Sequence, residues 1–190
     1  MKLNELDTKN KKLIQLLQEN GRNSLTDLGK QLNLSHVSVQ KRLKKLVENN
    51  QVQVSANLSS TKLEICYAVV LVEVDSYEQL KSMMEKFSKC PRLVFFGTMT
   101  GAYNLIAIIA AENQDVLQSV INVCSMRNEP GLRRSEVSII DIPLRPEFIP
   151  FKMPIGDDKE LAPCGTNCKD CERLTEKKCL GCPTTKWYGL

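Results

Sequence analysis

The sequence predicts an α+β fold: an N-terminal helix-turn-helix domain of winged-helix-like type, a ferredoxin-like βαββαβ domain, and a short cysteine-rich extension. Three observations predict it. Apolar residues recur at helical spacing between residues 7 and 48, interrupted by capping and turn residues; β-rich runs alternate with helical stretches between residues 66 and 142; and five cysteines crowd into residues 164–182 behind a proline-rich stretch. The limits that follow are 1–52 for the helix-turn-helix domain, 53–64 for a linker and strand, 65–148 for the ferredoxin-like domain, 149–163 for a proline-rich linker and 164–190 for the tail.

In the first domain, Asp7 precedes Leu13, Ile14, Leu16 and Leu17 at helical spacing, and Gly21 is expected as a left-handed stop. Ser24-Leu25-Thr26-Asp27 places an N-cap hydroxyl three residues before an acid, which approximates a capping box, with Leu25, Leu28 and Leu32 as the buried stripe. Asn33 tolerates positive φ and Ser35 can cap a third helix two residues later, so a tight turn joins the second and third helices. That arrangement is a helix-turn-helix.

On the third helix Val39, Leu43, Leu46 and Val47 share a face, which turns Ser38, Lys41, Lys44 and Lys45 outward. A cationic outer face on the helix after the turn suits the major groove of double-stranded DNA. Ser38, Gln40 and Lys41 are the expected base or groove contacts, Arg42, Lys44 and Lys45 lie nearer the phosphates, and Ser24 and Thr26 can offer hydroxyls and free amides to phosphate. Charge distribution points the same way. Residues 1–62 carry eleven Lys/Arg against five Asp/Glu, residues 63–150 eight against eleven, and residues 151–190 seven against six. His36, the one histidine, falls near the edge of the buried face and reads as structural.

Leu32-Asn33-Leu34-Ser35 followed by Val39, Arg42, Leu43, Lys45 and Leu46 resembles the helix-turn-helix of the Lrp/AsnC family of feast/famine regulators. The resemblance runs on through Val52-Gln53-Val54 as a short strand and to about Phe148, roughly four fifths of the chain. Asn33 and Asn50 stand where the family usually has glycine, and Gly29 where it usually has alanine.

In the second domain, Cys66–Val74 is β-rich, and Tyr77–Lys89 places Leu80, Met83, Met84 and Phe87 at helical spacing. Residues 93–100 and 103–111, joined at Gly101-Ala102, read as a hairpin; Asn113 caps a helix to about Met126, and Ser135–Ile142 is the last strand. A sheet covered by helices on one face leaves the other needing a partner, and Cys66–Val74 is apolar at both parities, so a homodimer is expected. The family resemblance implies the same, with further assembly up to octamers and small effectors, amino acids or similar metabolites, bound between dimers. It also implies an effector-associated loop at Gly97, Thr100, Gly101, Tyr103 and Asn104, where the family commonly has aspartate at the last position. There, glycines would expose amides to a carboxylate while Tyr103 and Asn104 offer polar tips. A plain hairpin turn with Gly97 at a bulge explains the same residues.

Beyond Ile142, five prolines punctuate residues 143–163 with little periodicity. Cys164, Cys168, Cys171, Cys179 and Cys182 then form C-x3-C-x2-C-x7-C-x2-C. Zinc is the first expectation, held by Cys168, Cys171, Cys179 and Cys182 with Cys164 left over. An iron-sulfur cluster is the second and disulfides the third. Cys66, Cys90 and Cys124 sit in apolar context and read as inert core thiols.

The functional expectation is a transcriptional regulator that responds to a small effector; the alternative is a metal or redox sensor whose tail is the sensing module. An enzyme is not expected. Some relatives of this fold act on haem precursors through histidine, the second domain has none, and no nucleophile–base pair or phosphate loop appears. The N-terminus lacks an apolar signal core and no apolar run approaches a membrane span, so a soluble cytoplasmic protein without membrane contact is expected.

Overall fold

The computed structural model describes residues 3–189. The chain divides into two compact units, one ending at Ala56 and the other beginning at Asn57. In the first, helix α1 (Thr8–Glu19) starts at Asp7, whose carboxylate accepts the Asn10 N–H at 2.8 Å. Helix α2 (Leu25–Leu32) starts at Ser24, whose hydroxyl accepts the Asp27 N–H and donates to the Asp27 carboxylate at 2.6 Å. Asn33 ends it at φ 52°, and the Leu34 N–H returns to Gly29 O at 2.9 Å. Ser35 then caps α3 (His36–Glu48). A Cβ on Gly29 would lie 2.7 Å from Leu34 O, so this turn is wound more tightly than alanine allows without a shift. Leu13, Leu16, Leu28, Leu32, Val39 and Leu46 fill the core between the three helices.

Three local expectations are corrected. Gly21 does not take a positive φ; α1 has already ended at Glu19, with Asn20 extended, so no left-handed stop is needed. Val47 is exposed, because Val39, Leu43 and Leu46 saturate the contact with the other helices. Residues 52–54 are not a strand: Val52 folds back on the helical core and its N–H bonds to Leu46 O.

The second unit opens with β1 (Leu58–Ser59), followed by β2 (Cys66–Val74), α4 (Tyr77–Phe87), β3 (Leu93–Thr98), β4 (Leu105–Ala111), α5 (Gln114–Asn122) and β5 (Leu132–Ile140). From β2 to β5 this is the βαββαβ order, with an antiparallel sheet ordered β3-β4-β2-β5. Ser76 and Asn113 cap the two helices. The even positions of β2 (Ala68, Val70, Val72, Val74) and the odd ones of β4 (Leu105, Ala107, Ile109, Ala111) pack against Met83, Phe87, Val116, Leu117, Val120 and Ile121. Alternation sends Tyr67, Val69, Leu71, Ile106 and Ile108 to the other face.

That second face is partly covered from within the chain. Strand β6 (Phe148–Ile149) pairs antiparallel with β1, and Ile149 and Phe151 pack with Ile65, Tyr67 and Ala110. Residues 149–163, predicted as a linker, therefore contribute buried Ile149, Phe151 and Ala162 to the domain. Proline spacing hid this, since a few apolar residues in extended chain carry no periodicity. The cysteine-rich tail also packs on the sheet domain: Ala162 and Cys164 belong to its main core, with Leu180 and Cys182 against it.

Candidate functional sites

Helix α3 presents the predicted nucleic-acid face unevenly. Gln40, Lys41, Lys44 and Lys45 are exposed, and Lys44 makes only a 3.6 Å solvent-facing pair with Glu48. Ser38 is half-buried, with its hydroxyl 2.9 Å from that of the cap Ser35. Arg42 is turned toward the start of α1, donating to the Asp7 carboxylate at 2.8 Å and to Asn10 Oδ1 at 3.0 Å. It pins α3 to the start of α1. The Asp7 carboxyl is held below its ordinary value of 3.8, first by the Asn10 N–H and then by Arg42. Ser24 spends its hydroxyl in the capping box, while Thr26 remains exposed beside the helix N-terminus. His36 is exposed at the first position of α3.

The loop between β3 and β4 differs from the expected ligand cradle at its last residue. Asn104 accepts the Val74 N–H at 2.9 Å and donates its amide to Val74 O at 2.8 Å, and its own N–H bonds to Val72 O. Its side chain therefore splices the end of β2 to the hairpin. An aspartate could accept from the Val74 N–H but has no proton for the Val74 carbonyl, which accounts for the amide at this position. Tyr103 donates to Glu136 at 2.9 Å and lies under the Arg134 guanidinium, 4.7 Å from the ring centroid. The carboxylate raises the Tyr103 phenol above its ordinary value. Gly97 pairs in register with Ile106; the irregularity in β3 falls between Leu93 and Phe95 instead. Thr100 and Gly101 are exposed, and Gly101 alone in the loop takes a positive φ, 144°.

All five tail cysteines line one cavity of about 440 Å³. Cys90, after α4, and Cys124, after α5, line it too, so the reading of these two as inert core thiols misses their position. No sequence period links residues 90 and 124 to a tail forty or more positions away. Only the docking of the tail on α5 does so. All eight cysteines are free thiols, and among the described residues no three ligating groups converge on one ion-sized point. Burial pushes the Cys90 thiol up to about 11 and the Cys124 thiol up to about 12, with neighbouring cavity thiols adding to both shifts.

Polar contacts hold the tail over this cavity. Arg92, buried, pairs with Glu112 and donates to Gly181 O at 2.9 Å, while Tyr188 donates to the other Glu112 oxygen at 2.8 Å. Arg173, on the short helix α6 (Glu172–Thr175), donates to Ser119 at 2.8 Å, and Ser119 donates to Lys178 O at 2.7 Å.

Residues 6–47 match the AsnC-type helix-turn-helix domain and residues 67–140 the Lrp/AsnC ligand binding domain. An uncharacterised HTH-type transcriptional regulator of Pyrococcus horikoshii is 26% identical over 137 residues, covering 72% of this chain and 86% of the relative. The HTH-type transcriptional regulator LysM of Sulfurisphaera tokodaii is 22% identical over 136 residues, covering 72% and 95%. Among solved structures, a transcriptional regulator in complex with L-Met from Neisseria meningitidis aligns with TM-score 0.64 at 21% identity, over 74% of this chain and 92% of that one. E. coli AsnC aligns with TM-score 0.62 at 18% identity, over 73% and 94%. The cysteine-rich tail lies outside both family matches.

Proposed function

The chain belongs to the Lrp/AsnC family of DNA-binding transcriptional regulators with a ligand-binding domain, and from that premise we propose that α3 reads the major groove of an operator while an amino acid or similar small metabolite, bound by the sheet domain of a homo-oligomer, adjusts that binding. The observation that carries the reading is the α3 surface. A left-handed Asn33 and a Ser35 cap fix the helix's start, and Gln40, Lys41, Lys44 and Lys45 stand exposed along it.

Within that reading Lys41 and Gln40 reach base edges, Lys44 and Lys45 hold phosphates, Thr26 adds a phosphate contact, and Arg42 acts by fixing the helix rather than by touching DNA. The effector falls to Thr100, Gly101 and Tyr103, since Asn104 is committed to Val74. The L-Met named with the Neisseria regulator supports a small amino acid as the class of effector. The partly covered sheet face, with Phe95 53% exposed opposite Ile108 and in line with Val69, is the surface for a second copy. The effector acts only through a difference in its affinity for the two assembly or binding states.

The test is a titration of operator DNA at several salt concentrations. Lys41→Ala with Lys44→Ala is expected to weaken binding and to reduce the slope of log K against log salt by roughly 0.9 for each phosphate no longer neutralised. An unchanged slope overturns the assignment of α3.

A further inference from the structure

We propose that the cavity between the tail and α5 is an iron-sulfur cluster site closed from both sides, with Cys124 of the sheet domain serving as a ligand together with thiols of the tail. This goes beyond the regulator reading and does not depend on it.

Seven of the eight cysteines line one cavity, and Cys66 alone lies elsewhere. Cys124 and Cys90 line it together with the five tail thiols Cys164, Cys168, Cys171, Cys179 and Cys182. A structural zinc needs four sulfurs about 2.3 Å from one centre. The seven thiols here come from three segments of the chain and border a space of about 440 Å³. That arrangement suits a body with several metal atoms, each taking one thiolate from a different direction.

Val120, Val123, Ala162 and Leu174 make the rest of the wall largely apolar, which limits water at a cluster. Backbone amides already point at sulfur: the Gly181 N–H donates to Cys179 Sγ at 3.4 Å, and the Cys182 N–H bonds to Cys168. Gly181 sits at φ +81°, and a Cβ there would meet Trp187 O at 2.6 Å, so the knuckle that delivers this amide requires glycine. Such N–H···S bonds favour the thiolate over the thiol and tune a cluster's potential.

Cys90 and Cys124 reach the cavity from the ends of α4 and α5, so a cluster held by Cys124 together with tail thiols fastens the tail to the sheet domain.

The experiment uses the full chain, purified anaerobically and also reconstituted with ferrous iron and sulfide. Expected is iron with a matching amount of acid-labile sulfide and a broad visible absorption. Cys124→Ser is expected to lose at least several-fold of the iron and sulfide, whereas Cys66→Ser keeps both. Stoichiometric zinc without sulfide, or a Cys124→Ser protein with unchanged iron, sulfide and spectrum, overturns the proposal. Circular dichroism checks the fold of each variant. Should Cys124→Ser fail to fold, alkylation of the wild type followed by peptide mass analysis decides: the cluster-loaded chain is expected to protect Cys124 at least tenfold relative to chelator-treated chain, with Cys66 unchanged, and equal labelling of Cys124 overturns it. Operator binding is read separately, so failure of the cluster and failure of the α3 assignment give different results.

Discussion

Asn104 and Arg42 show how a single side chain can be read correctly in type and wrongly in task. The sequence marks Asn104 as a polar tip on a loop, yet both ends of its amide are spent on Val74. Asn104→Ala leaves that N–H and carbonyl at the end of β2 without their partner and is expected to destabilise the sheet domain by about 1–3 kcal/mol, read by denaturant unfolding. Asn104→Asp restores the acceptor only, so it is expected to recover part of the loss. Arg42 follows the same pattern, because helical phase could place it only within a cationic set, and its partner Asp7 lies 35 residues away. The pair is solvent-facing, so a double-mutant cycle of Asp7→Ala and Arg42→Ala is expected to give a coupling of only about 0.2–1 kcal/mol. The Asp7 carboxyl has a lowered value in the fold, so its contribution is complete above the unfolded value and is lost as pH falls through the lower folded one. Comparing acid unfolding of wild type and Asp7→Asn checks the sign; the difference is expected to shrink below pH 3.8.

At the scale of elements, the capped helices and the alternating strands were legible because each carries its own local signal. Asp7, Ser24, Ser35 and Asn113 all cap as side-chain chemistry requires, and β2 falls on Cys66–Val74 as its composition indicates. Residues 142–163 carry no such signal. Their place is set by isolated apolar contacts, and Phe151, 5% exposed, is the largest of them. Phe151→Ala is expected to cost about 3–5 kcal/mol in the stability of the sheet domain, which a linker residue would not. Arg92 and Glu112 likewise join the sheet domain to the tail through a buried pair. Arg92→Ala strands the Glu112 charge and is expected to destabilise by about 3–5 kcal/mol, with the tail becoming sensitive to limited proteolysis.

For the molecule as a whole, the charge profile along the chain proved more informative than its sum of +4. The excess of cations in residues 1–62 coincides with the helical unit, whereas the sheet unit is close to neutral. Assembly through the open sheet face predicts that Phe95→Asp shifts the chain toward monomer in sedimentation and weakens operator binding, because paired half-sites require paired readers. What the sequence could not carry at this scale is the thiol cavity. Its members span residues 90–182 and belong to three separate segments, and only tertiary packing makes them neighbours.

The closing contacts of the tail bear on the order in which the protein is made. Helices α1–α3 complete their own core by residue 56 and can fold while synthesis continues. The thiol cavity is different: its last wall residue is Cys182, and the latch from Tyr188 to Glu112 comes six positions later. Newly made chains therefore complete the helical unit before they complete the cavity, so the thiol site is the last feature of the protein to close.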